Sequence, residues 1–221
     1  MPEEAGADGR ASDPTGGIVP TPWERDDARF PTDMFRSWLQ CMTEPHRFFR
    51  SVDPSVPFSR PLLFFFVFWI LGSGLGTLSA DAALGDWYAA RGVDMPGATW
   101  NLFLFFLSPF LGAMSLALYI GFTHLGVRVF VKNPRTIGVT ARGLCYVAAP
   151  QLLAVVPFVG WMVAAVWSLF LAVVSVQRLH RTSAGSAVAA VLVPPIVFSM
   201  GMGMLVFFLV FFVTLVLGGA T

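Results

Sequence analysis

The sequence predicts an all-α fold, a polytopic transmembrane bundle of five spans with the amino terminus in the cytoplasm and the carboxyl terminus outside. Three observations predict it. Hydrophobic residues make up 56% of the 221-residue chain and charged residues only 12%, where a soluble domain carries about 25% charged. Five stretches are apolar for about 17–25 residues, the length that crosses a ~30 Å hydrocarbon core. The basic residues fall almost entirely on one side of those stretches.

Residues 1–32 read as a disordered cytoplasmic tail, acidic and rich in Pro and Gly. No apolar h-region occurs there, so targeting is expected to come from the first span rather than a signal peptide. Residues 33–60 form an amphipathic, interfacial segment. Met34, Phe35, Trp38, Leu39 and Met42 share one helical face, Arg36, Ser37, Gln40 and Thr43 the other, and Asp33 can cap the start. A second turn beginning near Pro45 gathers Phe48, Phe49 and Val52. Stripes of this kind just before a span lie flat in the membrane interface.

The five spans are expected at 61–80, 101–122, 144–159, 161–177 and 191–217, together the membrane domain 61–217. The third and fourth are short and meet at Gly160, forming a tight hairpin. Pro194 and Pro195 are expected to break or kink the entry of the fifth.

Orientation follows from charge. Arg10, Arg25, Arg29, Arg36, Arg47, Arg50 and Arg60 lie in the tail. Arg128, Lys132, Arg135 and Arg142 lie between the second and third spans, and Arg178 and Arg181 follow the fourth. The opposite side keeps only Arg91, beside Asp81, Asp86 and Asp94. The positive-inside rule therefore puts the tail and the 123–143 loop inside.

The chemistry-bearing patterns exclude more than they suggest. With these boundaries no ionisable residue lies within a span, which argues against ion-coupled transport. Gln151, between Pro150 and Pro157, is the deepest polar residue and reads as an interhelical hydrogen-bonding or packing residue. No His-Glu-x-x-His pair, nucleophile elbow or phosphate-binding loop occurs, and the chain reads as non-enzymatic, without catalytic, cofactor or metal sites. Cys41 and Cys145 are not expected to pair. Gly72, Gly74 and Gly76 allow close helix approach, chiefly inside the monomer. His124 and His180 both end spans on the basic side. Their plain reading is interfacial anchoring; their functional one is membership of a cytoplasmic interaction face with Arg128, Lys132, Arg135, Arg142 and Arg181.

The order of several short elements resembles the YIP1 family. Pro45-His46-Arg47-Phe48-Phe49 is similar to the element before that family's first span. His124-Leu125-x-x-Arg128 closes the second span, and Tyr146-x-x-x-Pro150 and Pro157-x-x-Gly160 follow. His180-Arg181-Thr182-Ser183 then leads to Pro194-Pro195. The likeness runs over about residues 35–200, and bacterial members look closer. It implies a five-span bundle with a cytoplasmic amino terminus. Eukaryotic relatives act in vesicle traffic and bind prenylated small GTPases and one another; the Asp-Leu-Tyr-Gly-Pro-like element of those relatives is missing here.

The expected function is a non-enzymatic membrane adaptor or organiser that recruits a protein partner or acidic lipid at its cytoplasmic face. The alternative is a small-solute or lipid transporter built around the proline-bent third span. Expected partners are the lipid bilayer and a membrane protein or a second copy of the chain, not nucleic acid. The expected location is the bacterial inner membrane, or an endomembrane in a eukaryote. No cofactor is expected.

Overall fold

In the computed structural model the described residues are 20–92, 98–157 and 159–218. Among them are seven α-helices and no strand: α1 Thr32–Thr43, α2 Pro45–Ser51, α3 Ser59–Ala89, α4 Ala98–Phe130, α5 Ile137–Tyr146, α6 Gly160–Leu179 and α7 Ala184–Gly218. Five stretches are long and apolar enough to cross a bilayer: Ser59–Gly76, Leu102–Phe130, Ile137–Val155, Gly160–Leu179 and Ala184–Val210. Four belong to α3, α4, α6 and α7. The third is composite.

That composite span departs from the expected 144–159. Helix α5 has 10 residues, a rise of only about 15 Å. A 3-10 helix, Ala149–Val155, continues it for 7 residues, about another 14 Å. Pro150 lacks an N–H, so the Tyr146 carbonyl loses its helical donor. In a membrane such groups must be satisfied by protein. Cys41 supplies its thiol to the Tyr146 carbonyl at 3.7 Å, Ser168 its hydroxyl to Val147 at 3.1 Å, and Trp38 its indole N–H to Ala149 at 2.8 Å. Both cysteines are free and buried, and burial pushes the Cys41 thiol pKa up.

The break becomes the centre of packing. Helix α3 lies along it with Gly72 and Gly76 inward. A Cβ at Gly72 would stand 2.5 Å from the Gln151 carbonyl oxygen, and one at Gly76 3.3 Å from that of Ala154. At Gly160 a Cβ would run into the Leu153 carbonyl, so the turn from the 3-10 helix into α6 tolerates no side chain there. Gly74 faces the Phe105 ring of α4 instead.

Helix α1 does not present its whole apolar stripe outward. Met34 and Cys41 are buried and Trp38 packs against the core, stacking on Phe68 at 6.2 Å. Phe35 and Leu39 remain exposed. Ser37, assigned from sequence to the polar face, is fully buried and accepts the Trp23 backbone N–H at 2.8 Å. Within the stretch read as a disordered tail, Pro22–Glu24 forms a short 3-10 turn with Trp23 and Glu24 buried; residues 1–19 lie outside the described residues. In α2, Phe48 and Phe49 are both buried; Phe48 meets the Tyr146 ring edge-on at 4.9 Å and the Phe49 ring at 5.3 Å.

The expected break at Pro194-Pro195 is not observed: both prolines lie inside a continuous α7. Pro194 removes the donor for the Ala190 carbonyl. Gly126 of α4 packs on that carbonyl so closely that a Cβ would overlap it. Helix contact thus covers the gap in the ladder. From Ile196 to Val210 α7 is exposed, as a lipid-facing helix should be.

Candidate functional site

One end of the bundle collects the carboxyl end of α4, the 131–136 turn, the amino end of α5 and the α6–α7 connection. The sequence-predicted residues separate there into two groups. Arg128, Lys132 and Arg181 are exposed, and Arg135 and His124 half-buried. His180 and Arg142 are buried, at 4% and 5% exposure. Gln151, Gly72 and Gly76 lie apart from this end, in the packing seam between α3 and the 3-10 helix.

The two histidines are linked, by a residue the sequence did not single out. Thr140, in the second turn of α5, places its hydroxyl 3.0 Å from His124 Nδ1 and 3.0 Å from His180 Nε2. The Arg135 backbone N–H donates to His180 Nδ1 at 3.2 Å. Hydrogen polarity then assigns the chain. His180 Nδ1 is an acceptor, so its Nε2–H donates to Thr140, and the Thr140 hydroxyl donates onward to His124 Nδ1. Both rings are neutral in this arrangement. Burial, the neighbouring His124 and the Arg135 guanidinium lower the His180 pKa to about 4.

His180 also caps α6, and Arg181 follows with φ 51°. The Thr182 N–H returns to the Gln177 carbonyl at 3.1 Å, the closure of a helix end that ordinarily has Gly in the left-handed position. Here an arginine occupies it.

Arg142 belongs to a different constellation. Because α5 starts earlier than expected, this guanidinium falls within the apolar stretch Ile137–Val155. The expectation that no ionisable residue enters a span is therefore corrected. Arg142 pairs with Glu24 at 3.2 Å, with side chains 6% and 0% exposed. It also donates to the Pro54 and Val56 carbonyls. Glu24 accepts the Asp53 N–H through its other oxygen at 3.1 Å. Burial raises the Glu24 pKa, opposed by Asp53, Tyr146 and Arg142. A buried guanidinium needs such a complete set of acceptors. Arg142 is thus turned inward, away from Arg128 and Lys132. A pairing across 118 residues leaves no local sequence signal.

The same segment is clasped to α3. Trp23 Nε1–H donates to the Arg60 carbonyl at 2.8 Å, and Arg60 donates to the Trp23 and Arg25 carbonyls at 3.0 and 2.7 Å. Asp33 accepts from the Arg29 N–H and from Arg36, and these contacts lower its pKa. On α2, His46 accepts from Arg178 of α6 at 3.2 Å; burial and the Arg178 and Arg50 charges lower its pKa. Among the described residues no cluster of His, Cys, Asp or Glu could hold a metal ion.

Five apolar spans and a backbone break sealed by protein side chains define an integral membrane protein of the polytopic α-helical class. A sequence model of the Yip1 domain matches residues 39–208. The chain belongs to the Yip1 domain family, as the order of its motifs led one to expect. No curated protein and no solved structure matches it.

Proposed function

We propose that this protein is a non-enzymatic membrane adaptor or organiser whose basic end faces the cytoplasm and engages acidic lipid or an acidic protein partner. The observation that carries the reading is Arg181. An arginine held at φ 51°, where Gly is cheaper by sterics, points to a use for its side chain rather than its backbone. It stands at the same end as exposed Arg128 and Lys132. Near an anionic leaflet each such charge contributes about 1 kcal/mol. The distribution of basic residues supports the cytoplasmic orientation, and the bacterial inner membrane is the proposed location.

The contact between Gly72 and the Gln151 backbone fills the place where a transporter would need a polar path, which favours the adaptor. The test changes Arg128, Lys132, Arg135 and Arg181 to Gln in pairs, leaving enough charge to preserve insertion. Retention of acidic lipid and crosslinks to partners should fall, and fall further at high salt. Unchanged retention and crosslinking in correctly inserted protein would reduce these residues to topology anchors.

A further inference from the structure

We propose that the His124–Thr140–His180 chain is a proton-sensitive latch that holds the 131–136 turn against the bundle and in acid releases Lys132 and Arg135 toward anionic lipid headgroups. The proposal rests on the reading of the basic end given above and adds its regulation.

The geometry makes the latch directional. The turn is held at its far side by one bond, the Arg135 N–H to His180 Nδ1 at 3.2 Å. That nitrogen accepts only while the ring is neutral. A proton on Nδ1 would set two N–H groups against each other and place a cation beside the Arg135 side chain. The Arg135 N–H fixes the His180 tautomer: with Nδ1 accepting, Nε2–H donates to Thr140, whose own hydroxyl proton is left for His124. One hydroxyl thus couples α4, α5 and the α6 cap.

Among the described residues no carboxylate acts on either ring. His180 and His124 feel each other, Arg135 and Arg128. On α6, Arg178 is engaged by His46 of α2, beside which Arg47 is paired with Glu44 at 3.1 Å and Arg50 adds a positive charge. On α5, Arg142 is committed to Glu24, with Cys145 and Tyr146 beyond it. Helix α7 carries no titratable side chain. Among the described residues the charges that act on the two rings are thus Arg128, Arg135 and His124 itself, and protonation adds to repulsion.

The sign follows. The His180 pKa is lowered from 6.5 to about 4 in the closed state. An open turn exposes an ordinary imidazole. Closure is then fully favourable above about pH 6.5 and weakens as pH falls, by up to about tenfold in the closed-to-open ratio per unit, until pH about 4.

The experiment uses the full chain in phosphatidylcholine vesicles, with and without an equal part of phosphatidylserine. Spin labels at Asn133→Cys and Ser183→Cys, both exposed, in a Cys41→Ser, Cys145→Ser background report the turn. The expected result is a narrow distance at neutral pH that lengthens and broadens in acid in both lipids. Thr140→Val should be open already at neutral pH, and Thr140→Ser should restore the closed distance. Contact of a labelled Lys132→Cys with headgroups should rise in acid only with phosphatidylserine. A distance unchanged while the His180 ring titrates by NMR overturns the latch, as does a closed Thr140→Val protein. Opening without phosphatidylserine contact overturns the headgroup assignment. The neutral-lipid arm reads the latch alone, so failure of acidic-lipid binding at neutral pH counts against the adaptor reading and leaves the latch result separate.

Discussion

The Glu24 carboxylate stands 3.2 Å from the Arg142 guanidinium, and neither side chain reaches solvent. It joins a short turn ahead of the first helix to the middle of a membrane-inserted one. Removing one partner of such a buried pair costs about 3–5 kcal/mol, while replacing both with apolar residues is close to neutral. Arg142→Met or Glu24→Leu alone should therefore lower the thermal midpoint in detergent sharply. The double variant should recover most of the loss. A double variant as unstable as the sum of the singles would show that the pair is not a unit.

Trp38 should behave as a buried anchor. Its indole N–H closes the Ala149 carbonyl at 2.8 Å, and its ring stacks on Phe68. With Trp38 as the single retained tryptophan, emission should be blue-shifted and protected from aqueous quenchers. Trp38→Phe keeps most of the ring but orphans the carbonyl, at a cost of about 1–3 kcal/mol. Full quenching of Trp38 would contradict the docking of α1.

Much of this architecture was legible in the sequence, and the reason is solvent. Apolar length and basic asymmetry are read locally, so the five spans and a basic end holding Arg128, Lys132, Arg135, Arg142 and Arg181 are read from sequence alone, although Arg142 turns inward to Glu24. The His124 and His180 positions were also visible, because they follow the spans expected at 101–122 and 161–177, although α4 runs on past His124 to Phe130. Thr140 was not: a lone threonine in an early turn of a helix has no pattern. Glu24 was hidden for another reason. Acidic, Gly- and Pro-rich surroundings read as tail, and only the distant guanidinium reveals the carboxylate's role. The 3-10 geometry after Tyr146 was half visible, since Pro150 announces a disturbance but not its form.

The glycine seam gives a steric prediction. Gly72→Ala puts a methyl 2.5 Å from the Gln151 carbonyl oxygen, and overpacking of this kind costs about 1–3 kcal/mol. Gly121→Ala, where a Cβ meets nothing within 4 Å, should leave stability unchanged or slightly raised. Differential scanning fluorimetry in detergent would compare the two. Equal effects would mean that α3 and the 3-10 helix can part without loss.

Arg181→Gly separates backbone from side chain. Glycine relieves the left-handed conformation at φ 51°, so the thermal midpoint should hold or rise by the equivalent of about 1 kcal/mol. Retention of acidic lipid should nonetheless fall. A variant that keeps full retention would remove the main support for Arg181 as a contact residue.

Sidedness is tested by labelling. Cysteines introduced singly in the 81–99 stretch of a Cys41→Ser, Cys145→Ser chain should react with an impermeant reagent in intact cells. Those at 128, 132 and 133 should react only after permeabilisation. The reverse pattern would invert the bundle and move the basic end outside.

The donors that close the Tyr146 and Ala149 carbonyls come from Cys41 and Trp38, roughly a hundred residues upstream. The ribosome makes them first. When the composite third span follows, with its backbone interrupted at Pro150, two of its three side-chain donors already exist, and the third, Ser168, comes with α6. Helix α7, by contrast, packs among the described residues chiefly on α4 and α6 and closes its own defect on Gly126. The amino-terminal helices thus supply, in the order of synthesis, part of what the interrupted span needs to satisfy its backbone in lipid.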